Sequence, residues 1–224
     1  MFRRAAVLGC LGTLVPVVVV IAGLLVAGDV AAKRYATGQL SDRISASVPG
    51  ATGVHSRIHS FPFLGRLVFN GDVPEVGTHI DQLDVAAGLS FSNLDVDLRA
   101  VNLDPHAMFS NRQLRIRHIG RGTFSVDLTA QALTNALGRQ VRISGGAILV
   151  TVLGSTAVRA TVAISPTHRL DVRVAGLPAL EVPLPSAKLL PCGPHITVVA
   201  TGLNLGCTFT SIPPAFLQAA SSAS

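Results

Sequence analysis

The 224-residue chain is 49% apolar but only 4% aromatic, with no Trp, and carries 18 Lys and Arg against 12 Asp and Glu. That apolar share excludes a chain too polar to build a core and suits one large or two small domains. Net charge is +6, or +4 without Arg3 and Arg4; once exported, such an excess suits an anionic lipid or polymer better than nucleic acid, although coding bias toward arginine would produce it too.

The first element is a run without charge from Ala5 to Gly28, directly after Arg3-Arg4. Its 24 residues, at about 1.5 Å each, span roughly 36 Å, enough to cross a bilayer core with some tilt. The two arginines favour a cytoplasmic N-terminus and place everything after Asp29 outside the cytoplasm. A cleaved signal peptide is the alternative, with Val30-Ala31-Ala32 as small residues before Lys33. Either way the chain is exported to the envelope or periplasmic side, as a single-pass anchored or a secreted protein. Cys10 stands too early in the run for lipid attachment and reads as a small apolar residue of a membrane helix. The expected organisation is an anchor or signal over 1–28, a folded domain over 29–212 and a Pro-, Ala- and Ser-rich tail over 213–224.

Tyr35, Leu40, Ile44 and Val48 recur at steps of four or five and predict a helix from Asp29 to Val48, continuous with the leader and ended by Pro49-Gly50. After Gly50 the period becomes two. Phe124, Val126 and Leu128 alternate with polar residues, as do Val158 to Ile164 and Leu170 to Val174, the pattern of antiparallel strands with one apolar face. Leu94, Val96 and Leu98 sit on even numbers, whereas Val101 and Leu103 sit on odd ones, and Leu83 and Val85 slip likewise after Ile80. A β-bulge near Arg99-Ala100 would cause the first slip. Thr129 can cap a short helix from Ala130 to Leu137, closed by Gly138. Five prolines between Leu177 and Pro194 mark an extended crossing segment, not a central strand. The fold class is therefore α+β, mostly antiparallel: about nine strands in one strongly curved sheet wrapped around the N-terminal helix and the short helix.

Beyond Cys10 there remain Cys192 and Cys207, and in an exported domain one pair is most simply a disulfide. Ile196 to Ala200 reads as a strand and Thr201-Gly202 as a turn, so the bridge would staple a hairpin. No further cysteine or histidine stands at zinc spacing, so no metal is expected.

The segment Ser60-Phe61-Pro62-Phe63-Leu64-Gly65-Arg66-Leu67-Val68-Phe69-Asn70-Gly71 holds three of the nine phenylalanines. Pro62 removes a donor and must break the preceding strand, so Phe61 and Phe63 would project from a kink. With the leader helix, the helix after Ala31, the strand from Val54 to Ile58 and the strand-rich remainder, this Phe-Pro-Phe-Leu element resembles the LmeA-like phospholipid-binding family of the actinobacterial cell envelope. The resemblance implies a curved sheet similar to tubular lipid-binding domains. It also implies a non-enzymatic role, binding phospholipid, with phosphoinositide as one candidate, in support of envelope lipid or lipoglycan assembly.

On this reading Phe61, Phe63, Leu64, Leu67 and Phe69 line the apolar mouth for acyl chains, unless they simply plug the core. Arg112, Arg115, Arg117, Arg121, Arg139 and Arg142 fall within 31 residues holding one acid, Asp127, and are candidates for anionic headgroups or for a solvated outer face. His55 and His59 share a strand face without the company of a metal site, and Asp95 and Asp97 read as outer-face residues. No Gly-x-Ser-x-Gly elbow, phosphate-cradling glycine loop or Cys-His pairing is present, so neither an enzyme nor a cofactor is expected. The expected partners are an anionic phospholipid and a membrane. The alternative is a scaffolding module with a packed interior that recruits envelope partners through its basic face.

Overall fold

A computed structural model describes residues 5–85, 89–107, 116–152, 156–165, 169–183 and 192–211, with side chains of the first helix described from Val20. The leader and the helix expected after Asp29 form one element, α1 (Ala5–Ser47), about 65 Å long at the helical rise. Among the described residues no helix is long and apolar enough to cross a membrane. Ala32, Ala36, Leu40 and Ile44, four residues apart, form its half-buried stripe, while Tyr35 on the other side is 72% exposed.

The chain continues through β1 (Ala51–His59), α2 (Phe63–Asn70), β2 (Asp72–Val85), β3 (Leu89–Leu103), β4 (Ile116–Thr129) and α3 (Ala130–Leu137). It then forms β5 (Val141–Ser144), β6 (Ala147–Val152), β7 (Thr156–Ile164), β8 (Arg169–Val174), β9 (Leu180–Pro183), β10 (His195–Val199) and β11 (Gly202–Phe209). These strands make two antiparallel sheets, ordered β1-β2-β3-β4-β11-β10 and β5-β6-β7-β8-β9, and neither closes. The expectation of a single wrapped sheet of about nine strands is corrected accordingly. Its physical cause is α3: Thr129 Oγ1 accepts from Ala132 N at 3.1 Å, Gly138 ends the helix at φ +62°, and the chain leaves the first sheet to begin another. The proline-rich stretch supplies β9, an edge strand, before 184–191, which lie outside the described residues, as does the tail after 211.

α1 is not enclosed by sheet. It lies beside β1, the edge strand, where Ser56 N donates to Ser41 Oγ at 3.0 Å, so the helix covers backbone donors that the open edge leaves unpaired.

The sheet changes faces at two lines. Register pairs Thr52 with Gln82 and Val54 with Ile80, which sets Gly53 (φ +65°) opposite Asp81, and the same row continues to Asn93 (φ +50°). A side chain at Gly53 would run into Asp81, its Cβ only 2.0 Å from a carboxylate oxygen, so this left-handed position also needs glycine for space. The second line runs through Ala100 (φ +51°). Here the slip seen after Leu98 arises from a left-handed residue; β2 and β3 keep their register across it, and the shifts between β3 and β4 fall at Ser92/Asp95 and Asn102/Leu103.

Alternation then sorts the side chains. The outer face of β1 to β4 bears a polar ladder, with Arg57 3.7 Å from Asp97 and His79 2.8 Å from Asp95. The inner face contributes to two cores. One joins the two sheets and α3, with Phe91, Leu128, Leu133, Val150, Leu170 and Leu203 all at 2% exposure or less. The other lies under α2, where Phe63 and Leu67 meet Ile58, Val73, Val101 and Ile119, with Ala32 and Ala36 of α1 at its margin.

Candidate functional site

The Phe-Pro-Phe-Leu segment folds as a turn and then a helix. β1 stops at His59, Pro62 stands at the N-cap, and α2 runs from Phe63 to Asn70, with Gly71 at a left-handed φ of +69° closing it. Gly71 also presses against β3: its carbonyl accepts from Leu103 N at 2.8 Å, and an added Cβ would sit 2.3 Å from Leu103 O. Four of the five expected mouth residues therefore divide by helical phase, and Phe61 precedes the helix. Phe63 and Leu67 are buried, whereas Phe61 (65% exposed), Leu64 (39%) and Phe69 (84%) face outward with Val68 (46%).

Pro62 offers no side-chain cap, so the first turn of α2 needs an acceptor from elsewhere. Asp29 of α1 supplies it: Leu64 N donates to Asp29 Oδ1 at 2.6 Å, and Asp29 is 4% exposed. A carboxylate at this end also meets the positive pole of the helix. Replacing Asp29 with Ala is expected to destabilise the fold by about 1–2 kcal/mol, while Asp29→Asn, nearly as good a cap, should lose less. Thermal unfolding of the two variants checks the order; equal losses would show that the cap is not what Asp29 contributes.

A second feature opens between the sheets. A cleft of about 420 Å³ is lined by Gly146, by Ala147 and Ile148 of β6, by Arg159, Ala160, Thr161 and Val162 of β7, and by Ile196 and Val198 of β10. Pockets for small ligands span about 300–1,000 Å³. β10 is the edge of the first sheet and is tied down by the Cys192–Cys207 disulfide, with Cα atoms 6.0 Å apart. The bridge staples the β10–β11 hairpin as its spacing implied.

A sequence model described as LmeA-like phospholipid-binding matches residues 27–212. The chain belongs to this family. No curated protein and no solved structure matches it at a significant level. In an LmeA-like domain, the exposed apolar side chains of α2 and the inter-sheet cleft are both surfaces where hydrocarbon can leave water, and they lie at different ends of the molecule. From Leu203, opposite Val198, the register leads to Leu128 of β4, and the nine residues back to Ile119 under α2 span roughly 30 Å.

The arginines divide as well. Arg112 and Arg115 lie outside the described residues. Arg117 lies 3.0 Å from Asp104, whose carboxyl is held below the ordinary carboxylate range by the Ala107 N–H and by that guanidinium. Arg121 is exposed and pairs across strands with Arg99. Arg139 and Arg142 follow α3, at the far end of β4, and Arg142 lines up through Leu149 with Arg159 at the cleft. Sequence reasoning did not single out Arg159, Ile196 or Val198. Their alternation was visible, but alternation identifies a face and not the strand opposite it.

Among the described residues no group of three or more His, Cys, Asp or Glu side chains could hold a metal ion. His59 lies 3.4 Å from Glu75, and Asp95 and Asp97 face outward in the cross-strand pairs already described.

Proposed function

We propose that the domain binds a phospholipid with an acyl chain in the cleft between β6, β7 and β10 and its phosphate at Arg159, and that the uncharged half of α1 tethers it to the outer side of the cytoplasmic membrane. The observation that carries the reading is the cleft lining, in which Ile148, Ala160 and Val162 of one sheet and Ile196 and Val198 of the other border one opening that Arg159 also lines. Each methylene removed from water contributes about 0.8 kcal/mol, so a chain that enters even partly is held well. Arginine matches phosphate oxygens with two parallel donors. Arg139 and Arg142 would extend the attraction to anionic lipid, a phosphoinositide being one such ligand. The role is non-enzymatic carriage or presentation of lipid during envelope lipid or lipoglycan assembly.

The filled core between the sheets favours a second reading, a scaffold that recruits partners through its basic faces. Native mass spectrometry of the full chain after incubation with anionic vesicles separates the two. The parent chain should carry phospholipid, and Val162→Glu or Ile196→Glu, which place a charge in the cleft at half-buried positions, should reduce uptake at least about tenfold, the equivalent of 1.4 kcal/mol. Absence of lipid from the parent, or equal uptake by the variants, supports the scaffold or another site.

A further inference from the structure

Among the described residues the outward side of α2 is apolar and exposed. Phe61, Leu64, Val68 and Phe69 are 39–84% exposed on and beside one eight-residue helix, far more apolar exposure than isolated surface residues present. A second exposed apolar surface joins it: Val20, Leu24, Leu25 and Val26 of α1 are 47–70% exposed. The two surfaces meet because Asp29 binds the first turn of α2 immediately after the uncharged run ends at Gly28.

The charges on the facing stretches of α1 and α2 are basic apart from Asp29, while Asp72 follows α2 directly. Lys33, Arg34 and Arg66 stand near the junction, and the single acid before Asp42 is Asp29, whose carboxylate is turned inward onto α2. Lys33 follows Gly28 by five residues, about 7.5 Å along the helix. That is the depth of a headgroup layer when the uncharged run occupies the hydrocarbon.

We infer that α2 is a membrane-contact element that rests in the interface of the bilayer α1 enters, with Phe61, Leu64, Val68 and Phe69 in the acyl boundary and Lys33, Arg34 and Arg66 among anionic headgroups. This rests on the tether reading above. It adds an orientation: the domain sits against the membrane by its α2 end, and the inter-sheet cleft opens roughly 30 Å from that end. An interfacial helix with an apolar face and basic flanks binds such a surface through both buried area and charge.

The chain has no Trp, so one introduced Trp is an unambiguous reporter. The full chain would be reconstituted into phosphatidylglycerol–phosphatidylcholine vesicles as Leu25→Trp, which reads the tether, and as Phe69→Trp, which reads α2; both positions are exposed, so the fold is kept. Lipids brominated along the acyl chain are expected to quench most of the emission of both variants. Quenching of Leu25→Trp alone, with Phe69→Trp open to aqueous iodide, overturns the contact and leaves the tether. Quenching of Phe69→Trp alone supports the contact and removes the tether. Quenching of neither overturns both. A blue-shifted Phe69→Trp emission that brominated lipid does not quench means that a protein, such as a second copy, covers α2, and also overturns the contact.

Discussion

Phe91→Ala is expected to destabilise the domain by about 3–5 kcal/mol, since removing a fully buried ring loses its transfer energy and leaves a cavity. Phe91 is 2% exposed, stands opposite Leu83 on β2, and belongs to the core that joins the two sheets through α3. In a domain of this size each kcal/mol lowers Tm by roughly 2–4 °C, so a fall on the order of 10 °C should appear in a thermal scan. Phe69→Ala makes the same chemical change on a side chain that is 84% exposed, and should stay within about 0.5 kcal/mol. Comparable losses in the two would mean that Phe69 packs against the fold and would remove the basis for a contact surface on α2.

Breaking the Cys192–Cys207 bridge should cost about 3 kcal/mol, the chain-entropy value for a loop closed at a separation of 15 residues. The consequence reaches beyond stability. Among the described residues β10 has one sheet neighbour, β11, and contributes Ile196 and Val198 to the cleft, so a freed N-terminal end of β10 loosens one wall. Cys192→Ser is the better variant, because Cys207 is 5% exposed within the core and its replacement would add a packing loss. Scanning calorimetry should show a Tm fall of roughly 6–12 °C, and native mass spectra a lower lipid occupancy. Unchanged stability together with free thiols in non-reducing peptide maps would show that the bridge does not form.

The short helix after Thr129 was legible in full, because its cap, its apolar positions and its closing glycine are all local. The paired outer face was legible for the same reason: Asp95 and Asp97 alternate with Leu94, Val96 and Leu98, and period two leaves them one side to occupy. The slip after Leu98 was visible too, but not its cause, since a left-handed Ala100 and an inserted residue shift the apolar pattern alike. Phe61 to Phe69 was recognisable as an interruption of strand and as the mark of the family. Its division into buried and exposed phenylalanines was not, because an eight-residue helix acquires a phase only when something packs against it.

Composition and spacing by themselves determined an apolar, antiparallel α+β domain behind an uncharged leader, with one disulfide-closed hairpin. These follow from side-chain period, turn chemistry and residue counts, which act over a few positions. Only the tertiary structure decided that the strands form two sheets, that α1 covers the edge at β1, that Asp29 holds α2, and that β10 faces β6 and β7 across a cleft. Each of those depends on residues far apart in the chain, Asp29 and Leu64 or Val162 and Ile196, whose meeting is set by how whole elements pack and by no local preference.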